Sequence, residues 1–285
     1  VSTLPESPPA AQDAPAPAAD ATAPGSISAF AVVVRPLPLT APLRWLALGL
    51  RDFGRAPFIG LFYGACFVAM GWALVYVFER APAYTLVLAA SFLLVGPFLC
   101  LGMYQTSMRL ERGQRPDFGD SLLAWQTRTG TLAIFGVVLL VLELIWARAA
   151  MVLFAVSFDG MPDFRGSVMA LTDPANLGFI VAYLAVGGVF AGLIFAISVV
   201  SLPMILHRQT DAITAGLTSL RLVLGQPLVM VFWGALITAL VVLAALPWLL
   251  GLLVVGPVLG HASWHAYRAA VADAPAGPAA PAAPD

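Results

Sequence analysis

The sequence predicts an all-α fold: a polytopic membrane helix bundle of six transmembrane helices, built as three hairpin units with interfacial amphipathic helices. Three observations predict it. The chain is 60% hydrophobic and only 10% charged, against roughly 25% charged in ordinary soluble domains. Its mean hydropathy is +0.91, more apolar surface than a soluble core of 285 residues can hide. Long uncharged runs recur, each of a length that crosses a bilayer.

The runs at 57–78, 82–104, 131–158, 178–206, 228–246 and 248–267 give the six helices. Helices suit hydrocarbon because they satisfy their own backbone hydrogen bonds. The first run opens at Pro57, and Glu79 and Arg80 close it before the second. The third, TLAIFGVVLLVLELIWARAAMVLFAVSF, carries Glu143 and Arg148 inside the apolar stretch. The fourth ends in VVSLPMILHR. Residues 228–260 contain no charge, and Pro247 in LPW marks the turn that divides the last two spans.

Arginine placement sets orientation, since basic residues favour the cytoplasmic side. All 14 basic residues are arginines. Arg35, Arg44, Arg51, Arg55, Arg109, Arg112, Arg115, Arg128, Arg208, Arg221 and Arg268 fall on one side of a six-span chain. Only Arg80 and Arg165 fall on the other, beside Glu79, Asp159, Asp163 and Asp173. This predicts an inner-membrane protein with both termini in the cytoplasm. The net charge of −1 gives no electrostatic case for nucleic acid. Residues 1–30 and 271–285, rich in Ala and Pro, read as disordered tails around a membrane domain at 41–270. The first of them lacks the basic and apolar regions of a signal peptide.

A unit repeats three times: an amphipathic segment, an outward span and an inward span with a proline. The amphipathic segments are 43–58, 118–130 and 211–228, and the prolines are Pro97, Pro203 and Pro257. GRAPFIGLFYG (54–64) echoes LGQPLVMVFWG (224–234). Gly60 with Gly64, Gly188 with Gly192, and Gly256 with Gly260 have the spacing that lets helices approach closely.

Two sets of polar residues are candidate sites. Glu143 lies about 18 Å beyond Thr131 along a helix, near the bilayer centre. Arg148, five residues on, is turned about 140° away. Buried charges in lipid are expected to face the bundle and be paired, so Glu143 and Arg148 mark either a polar clamp or a relay. His207, His261 and His265 fall near one membrane face, and three imidazoles are a frequent zinc set. No carboxylate motif accompanies them, and helices 1, 2, 3 and 5 hold no histidine. A haem–copper site needs more imidazoles than this inventory provides. Cys66 and Cys100 lie in apolar runs and read as buried small hydrophobes, not as a disulfide.

The segments LLVGPFLCLGMYQTSMRLERG (93–113), LIWARAAMVLFAVSF (144–158), FAISVVSLPMILHRQTDAITAGLTSLRLVLGQP (195–227) and GLLVVGPVLGHASWHAYR (251–268) resemble a bacterial integral membrane family, domain of unknown function 2189. The resemblance spans 41–270. It implies a multi-span inner-membrane protein with no established activity, although members are sometimes labelled cytochrome c oxidase subunit I. The family-like positions are Gly96, Pro97, Glu111, Arg148, Pro203, Arg208, Asp211, Ser219, His261, Trp264, His265 and Arg268. The chain departs from its relatives at His207, where they often carry an acidic residue.

The expected function is that of a structural or accessory membrane protein rather than an enzyme. It needs no cofactor, and its partners are the bilayer and a membrane protein or a second copy. The alternatives are a small transporter using Glu143, and a metal- or haem-binding protein at His207, His261 and His265.

Overall fold

The computed structural model describes residues 32–81, 84–157 and 177–272. The two expected tails lie outside these residues, apart from Val271 and Ala272. The described chain is helical, with one isolated antiparallel bridge, Val34 to Val271.

Helix α1 (Ala41–Arg55) leads through a sharp corner into α2 (Pro57–Arg80), and α3 (Thr85–Glu111) follows. Next come the short α4 (Phe118–Leu122), a 3-10 turn (Ala124–Arg128) and α5 (Thr129–Ser157). After the undescribed 158–176 segment come α6 (Leu177–Ser198), α7 (Ser201–Arg208), α8 (Ala212–Gly225), α9 (Pro227–Ala245) and α10 (Leu252–Ala270). Short helix, long helix, long helix thus recurs three times in the element order. The α1–α2 and α8–α9 corners also share backbone geometry. Ala56 has φ −133° and ψ 54°, and Gln226 has φ −138° and ψ 57°. In both cases the next residue is a proline, whose ring disfavours helical dihedrals in the residue before it.

Five helical stretches are long and apolar enough to cross a membrane: Pro57–Arg80, Leu88–Glu111, Ala124–Ser157, Leu177–Arg208 and Pro227–Ala245. The expected sixth, 248–267, is not among them. Residues 246–251 form turns in which Trp248 and Leu249 take positive φ, a conformation that costs a non-glycine residue about 1–2 kcal/mol. The Trp72 indole N–H donates to the Trp248 carbonyl at 2.9 Å and ties this turn to α2. Helix α10 then begins at Leu252, apolar as far as Gly260 and polar beyond it.

Two helix boundaries are corrected. The second helix, expected to end at 104, continues to Glu111 because Thr106 and Ser107 are buried. The fourth, expected as one helix over 178–206, breaks at Val199–Val200. Pro203 has no N–H for the Val199 carbonyl, and its ring crowds that carbonyl.

The buried core sits at one end of the bundle, here called the base, where α1, α7, α8 and the polar half of α10 meet. Helix α1 buries Ala41, Trp45, Gly49 and Asp52, spaced as one helical face. A Cβ on Gly49 would meet the Val258 carbonyl and the Ala262 backbone, so α1 lies directly against α10. The expected interfacial helices α1 and α8 are therefore half inside the protein. Trp45 packs edge-on against Trp233 of α9, centroids 5.6 Å apart. Ser219 of α8 donates to the Ala196 carbonyl of α6 at 2.7 Å. Residues 33–37 pair with 270–272 and with the Gln226 amide, closing the base.

Away from the base the helices present apolar side chains outward. On α5 only Leu132, Phe135, Leu139 and Glu143 are buried, a single stripe at spacings of three and four. Its other faces expose Ile134, Val137, Val141, Leu144, Val152 and Val156. That surface suits lipid, not water.

Candidate functional site

Helices α1 and α3 converge on α10 in the base. His261 and His265, four residues apart, share one face of α10. Helix α1 brings Asp52 to that face, on its own buried side. The continuation of α3 past its apolar run brings Ser107. These side chains form a chain of hydrogen bonds. The Nε2 of His265 lies 2.8 Å from Oδ2 of Asp52. Ser107 Oγ donates to the same oxygen at 2.8 Å, and it lies 2.7 Å from Nδ1 of His261. Asp52, Ser107 and His261 are all buried.

The protons in this chain can be assigned by counting donors. Burial alone pushes the Asp52 carboxyl upward. Hydrogen bonds from His265 and Ser107, with the nearby imidazoles, more than offset that and hold it below its ordinary value of 3.8. Asp52 is therefore a carboxylate and can only accept. His265 Nε2–H and Ser107 Oγ–H both donate to it. The serine proton is then committed, so Nδ1–H of His261 donates to Oγ. On the far edge of that ring, Nε2 is buried and has no hydrogen bond of normal geometry.

Ser, His and Asp are the residue types of a nucleophilic triad, but the roles differ here. In a triad the histidine takes the serine proton and the aspartate orients the histidine. In this chain the serine sits between His261 and Asp52 and gives its proton to the carboxylate. Its hydroxyl is sealed from solvent. The arrangement clamps α1, α3 and α10 together.

Two further clusters flank the first. Glu111 at the end of α3 accepts from Trp264 Nε1 and from Arg268 Nε, both at 3.0 Å. Across α10, Arg208 Nε donates to the Tyr267 hydroxyl at 3.0 Å, and that hydroxyl is hydrogen-bonded to Nδ1 of His207 at 2.8 Å. Arg208 also bonds the Ala272 carbonyl. Asp211 caps α8 by accepting from the Thr214 backbone N–H at 2.9 Å. Burial, the largest single influence, pushes its pKa up, but the Thr214 hydroxyl and three backbone groups together hold it below the ordinary value.

The three histidines do not converge. His261 and His265 belong to the Asp52 chain, while His207 packs on Trp264 and Tyr267 with centroids 5.4 and 5.8 Å away. Among the described residues, no group of three or more His, Cys, Asp or Glu side chains is placed to hold a metal ion. Glu143 completes the buried stripe of α5, and its Oε2 has no hydrogen-bond partner. Arg148 lies on the exposed side of the same helix, so the two expected partners do not meet. Pro97 and Pro257 lie within continuous helices, and Pro203 lies just past the α6–α7 break.

Sequence reasoning found His261, His265 and His207 but missed Asp52, Ser107 and Tyr267 as their partners. For Asp52 a signal existed: it is the one acid on an α1 face that otherwise carries Trp45 and Gly49. Ser107 and Tyr267 gave none, because their meaning depends on which helices are neighbours.

Long apolar helices with outward-facing hydrophobic side chains, joined to a base knit by polar contacts, define an integral membrane protein. Over residues 85–207, from the start of α3 to His207, the chain matches the family described as predicted integral membrane protein (DUF2189). The resemblance read over 41–270 is thus found in the middle of the chain, and the match includes Ser107, Glu111, Glu143 and Arg148 but not α10. No curated protein and no solved structure matches the chain.

Proposed function

We propose that the chain is a structural or accessory protein of the bacterial inner membrane. It crosses the bilayer six times, as three hairpins, with both termini and the base in the cytoplasm. The sixth crossing is the 246–260 stretch, whose turn and upper α10 run beside α2. The pairs Gly71–Leu249, Gly64–Leu253 and Gly60–Pro257 support this, because they make the two helices antiparallel. The arginine distribution supports the orientation.

One observation carries the accessory role: Asp52, Ser107 and His261, the residues best suited to chemistry, are spent on holding helices together and are buried at 4, 0 and 0% exposure. What the base offers outward is apolar and basic: Leu43 and Leu50 are exposed on α1 beside Arg44, Arg51 and Arg55, and Ile213 and Leu224 are exposed on α8 with Arg221. That surface suits a membrane-protein partner or a second copy together with lipid headgroups.

The test is cross-linking of full-length protein in native membranes. Glu143→Gln is expected to leave the cross-linked species unchanged, and Leu50→Glu with Leu224→Glu to abolish them. The reverse pattern would favour a second reading, a small transporter. That reading has its own support in Glu143, a buried carboxyl with an unpartnered oxygen inside a spanning helix. It requires solute flux in proteoliposomes that falls in Glu143→Gln.

A further inference from the structure

Helix α1 carries three arginines without a partner among the described residues. Arg44, Arg51 and Arg55 are exposed, and their side chains make no ion pair or hydrogen bond there. The one acid on the helix, Asp52, faces α10 and is engaged by Ser107 and His265. At about 100° per residue the arginines form one row, about 90° round the helix from a second row of Leu43, Ala47 and Leu50. That second row is exposed as well. The third side, with Trp45, Gly49 and Asp52, is buried.

The neighbours of α1 fix its level. Gly49 lies against Val258 and Ala262, on either side of the Gly260 at which α10 changes from apolar to polar. Ala56 is followed directly by Pro57, the first residue of the α2 span. The helix therefore lies along the boundary between hydrocarbon and base. Beyond the corner α2 heads into the bilayer, so its exposed Phe58 and Leu61 lie on the hydrocarbon side of Arg55. An apolar row toward lipid, with a basic row a quarter-turn away at headgroup depth, is the pattern of a helix that takes up anionic lipid. A headgroup without net charge does not answer three guanidiniums, whereas an anionic phosphate pairs with their planar donors.

We propose that α1 binds anionic phospholipid of the leaflet at the base, with headgroup phosphates along Arg44, Arg51 and Arg55 and acyl chains against Leu43, Leu50 and Phe58. Helix α8 lacks the basic row. Its single arginine, Arg221, is engaged within the chain, and its outward Ile213 and Leu217 are apolar. The preference for anionic lipid therefore belongs to α1. The proposal rests on the accessory reading only for the placement of the base at the membrane surface.

The test uses the full chain with Cys66→Ala and Cys100→Ala, in nanodiscs of equal phosphatidylglycerol and phosphatidylcholine, with a fluorophore on Ala47→Cys. The acyl chains of one lipid or of the other are brominated, so the composition stays fixed and quenching reports which lipid lies beside α1. One arginine near a headgroup corresponds to about fivefold enrichment of the anionic lipid. Enrichment of at least that size is expected in the parent and in the combined Arg44→Lys, Arg51→Lys and Arg55→Lys variant. It is expected to vanish in the combined Arg44→Gln, Arg51→Gln and Arg55→Gln variant, and to be weaker with the fluorophore on Leu217→Cys of α8. Unchanged enrichment in the glutamine variant overturns the proposal, as does equal enrichment on α8 or equal quenching by both lipids in the parent. Absence of quenching by either lipid also overturns it, because α1 is then covered by protein, either a second copy or the chain's own acidic segments. The two readings fail separately: a second copy on this face gives cross-links without quenching, and lipid gives quenching whether or not cross-links form.

Discussion

The polar chain of the base depends on one oxygen. Oδ2 of Asp52 accepts from both Ser107 and His265, so its loss strands two donors at once. An unsatisfied buried group costs about 1–3 kcal/mol. Asp52→Ala is therefore expected to lower the melting temperature in detergent by several degrees, whereas Asp117→Ala, at the exposed cap of α4, is expected to shift it far less. Equal melting of the two variants would show that the clamp contributes nothing. The pH dependence follows from the sign of the Asp52 shift. Its carboxyl is held below 3.8 in the fold. Its contribution is thus complete above the unfolded value and is lost as pH falls through the folded one. Melting curves of the parent should lose this increment only in acid below about pH 4, and Asp52→Asn should lack that part of the dependence. At this scale the sequence was half legible. His261 and His265 stood out by type and spacing, but nothing in one dimension tells an imidazole that its partner is a serine 154 residues away.

At the scale of elements, apolar runs were sufficient to place every long helix, because only helices hide their backbone in lipid. The boundaries shifted where burial in protein, rather than lipid, took over. Helix α3 outlasts its apolar run by entering the base, and Pro203 cuts what hydropathy alone reads as one helix. The glycine pairs make the same distinction. A Cβ on Gly64 would run into the Leu253 backbone, and one on Gly260 would meet Met103, while Gly188 and Gly192 face open space. The spacing is identical in all three pairs, so sequence could not separate those used in packing from those left over. Gly64→Ala must push α2 off α10, and overpacking of this kind costs about 1–3 kcal/mol. It should depress the melting temperature by several degrees, and Gly192→Ala should leave it unchanged or raise it slightly, since alanine favours the helix. A silent Gly64→Ala would mean that the two helices are not in backbone contact.

At the scale of the whole molecule, the open question is how α10 can be both a bundle helix and a polar one. The answer lies in the level at which each half sits. Gly60 meets Pro257 and Gly64 meets Leu253, so α10 above Pro257 runs beside the start of the α2 span. Met103, Ser107 and Glu111 of α3 contact Gly260, His261 and Trp264 in order, so below that level α10 runs parallel to the end of α3, inside the base. Hydropathy averaged over the whole helix mixes an apolar half with a polar half, which is why length and composition alone do not mark it as a span. The geometry makes a prediction about sidedness that composition does not. If the upper half crosses, the turn at Trp248 and the end of the chain lie on opposite sides of the membrane. With Cys66→Ala and Cys100→Ala, a membrane-impermeant maleimide added to intact cells or right-side-out vesicles should label Trp248→Cys. It should reach Ala272→Cys only after the membrane is permeabilised. Labelling of both without permeabilisation would mean that α9 crosses and α10 does not, and would leave the chain with five crossings. The termini would then face different compartments, and Arg268 would lose the common side that the repeat assigns it.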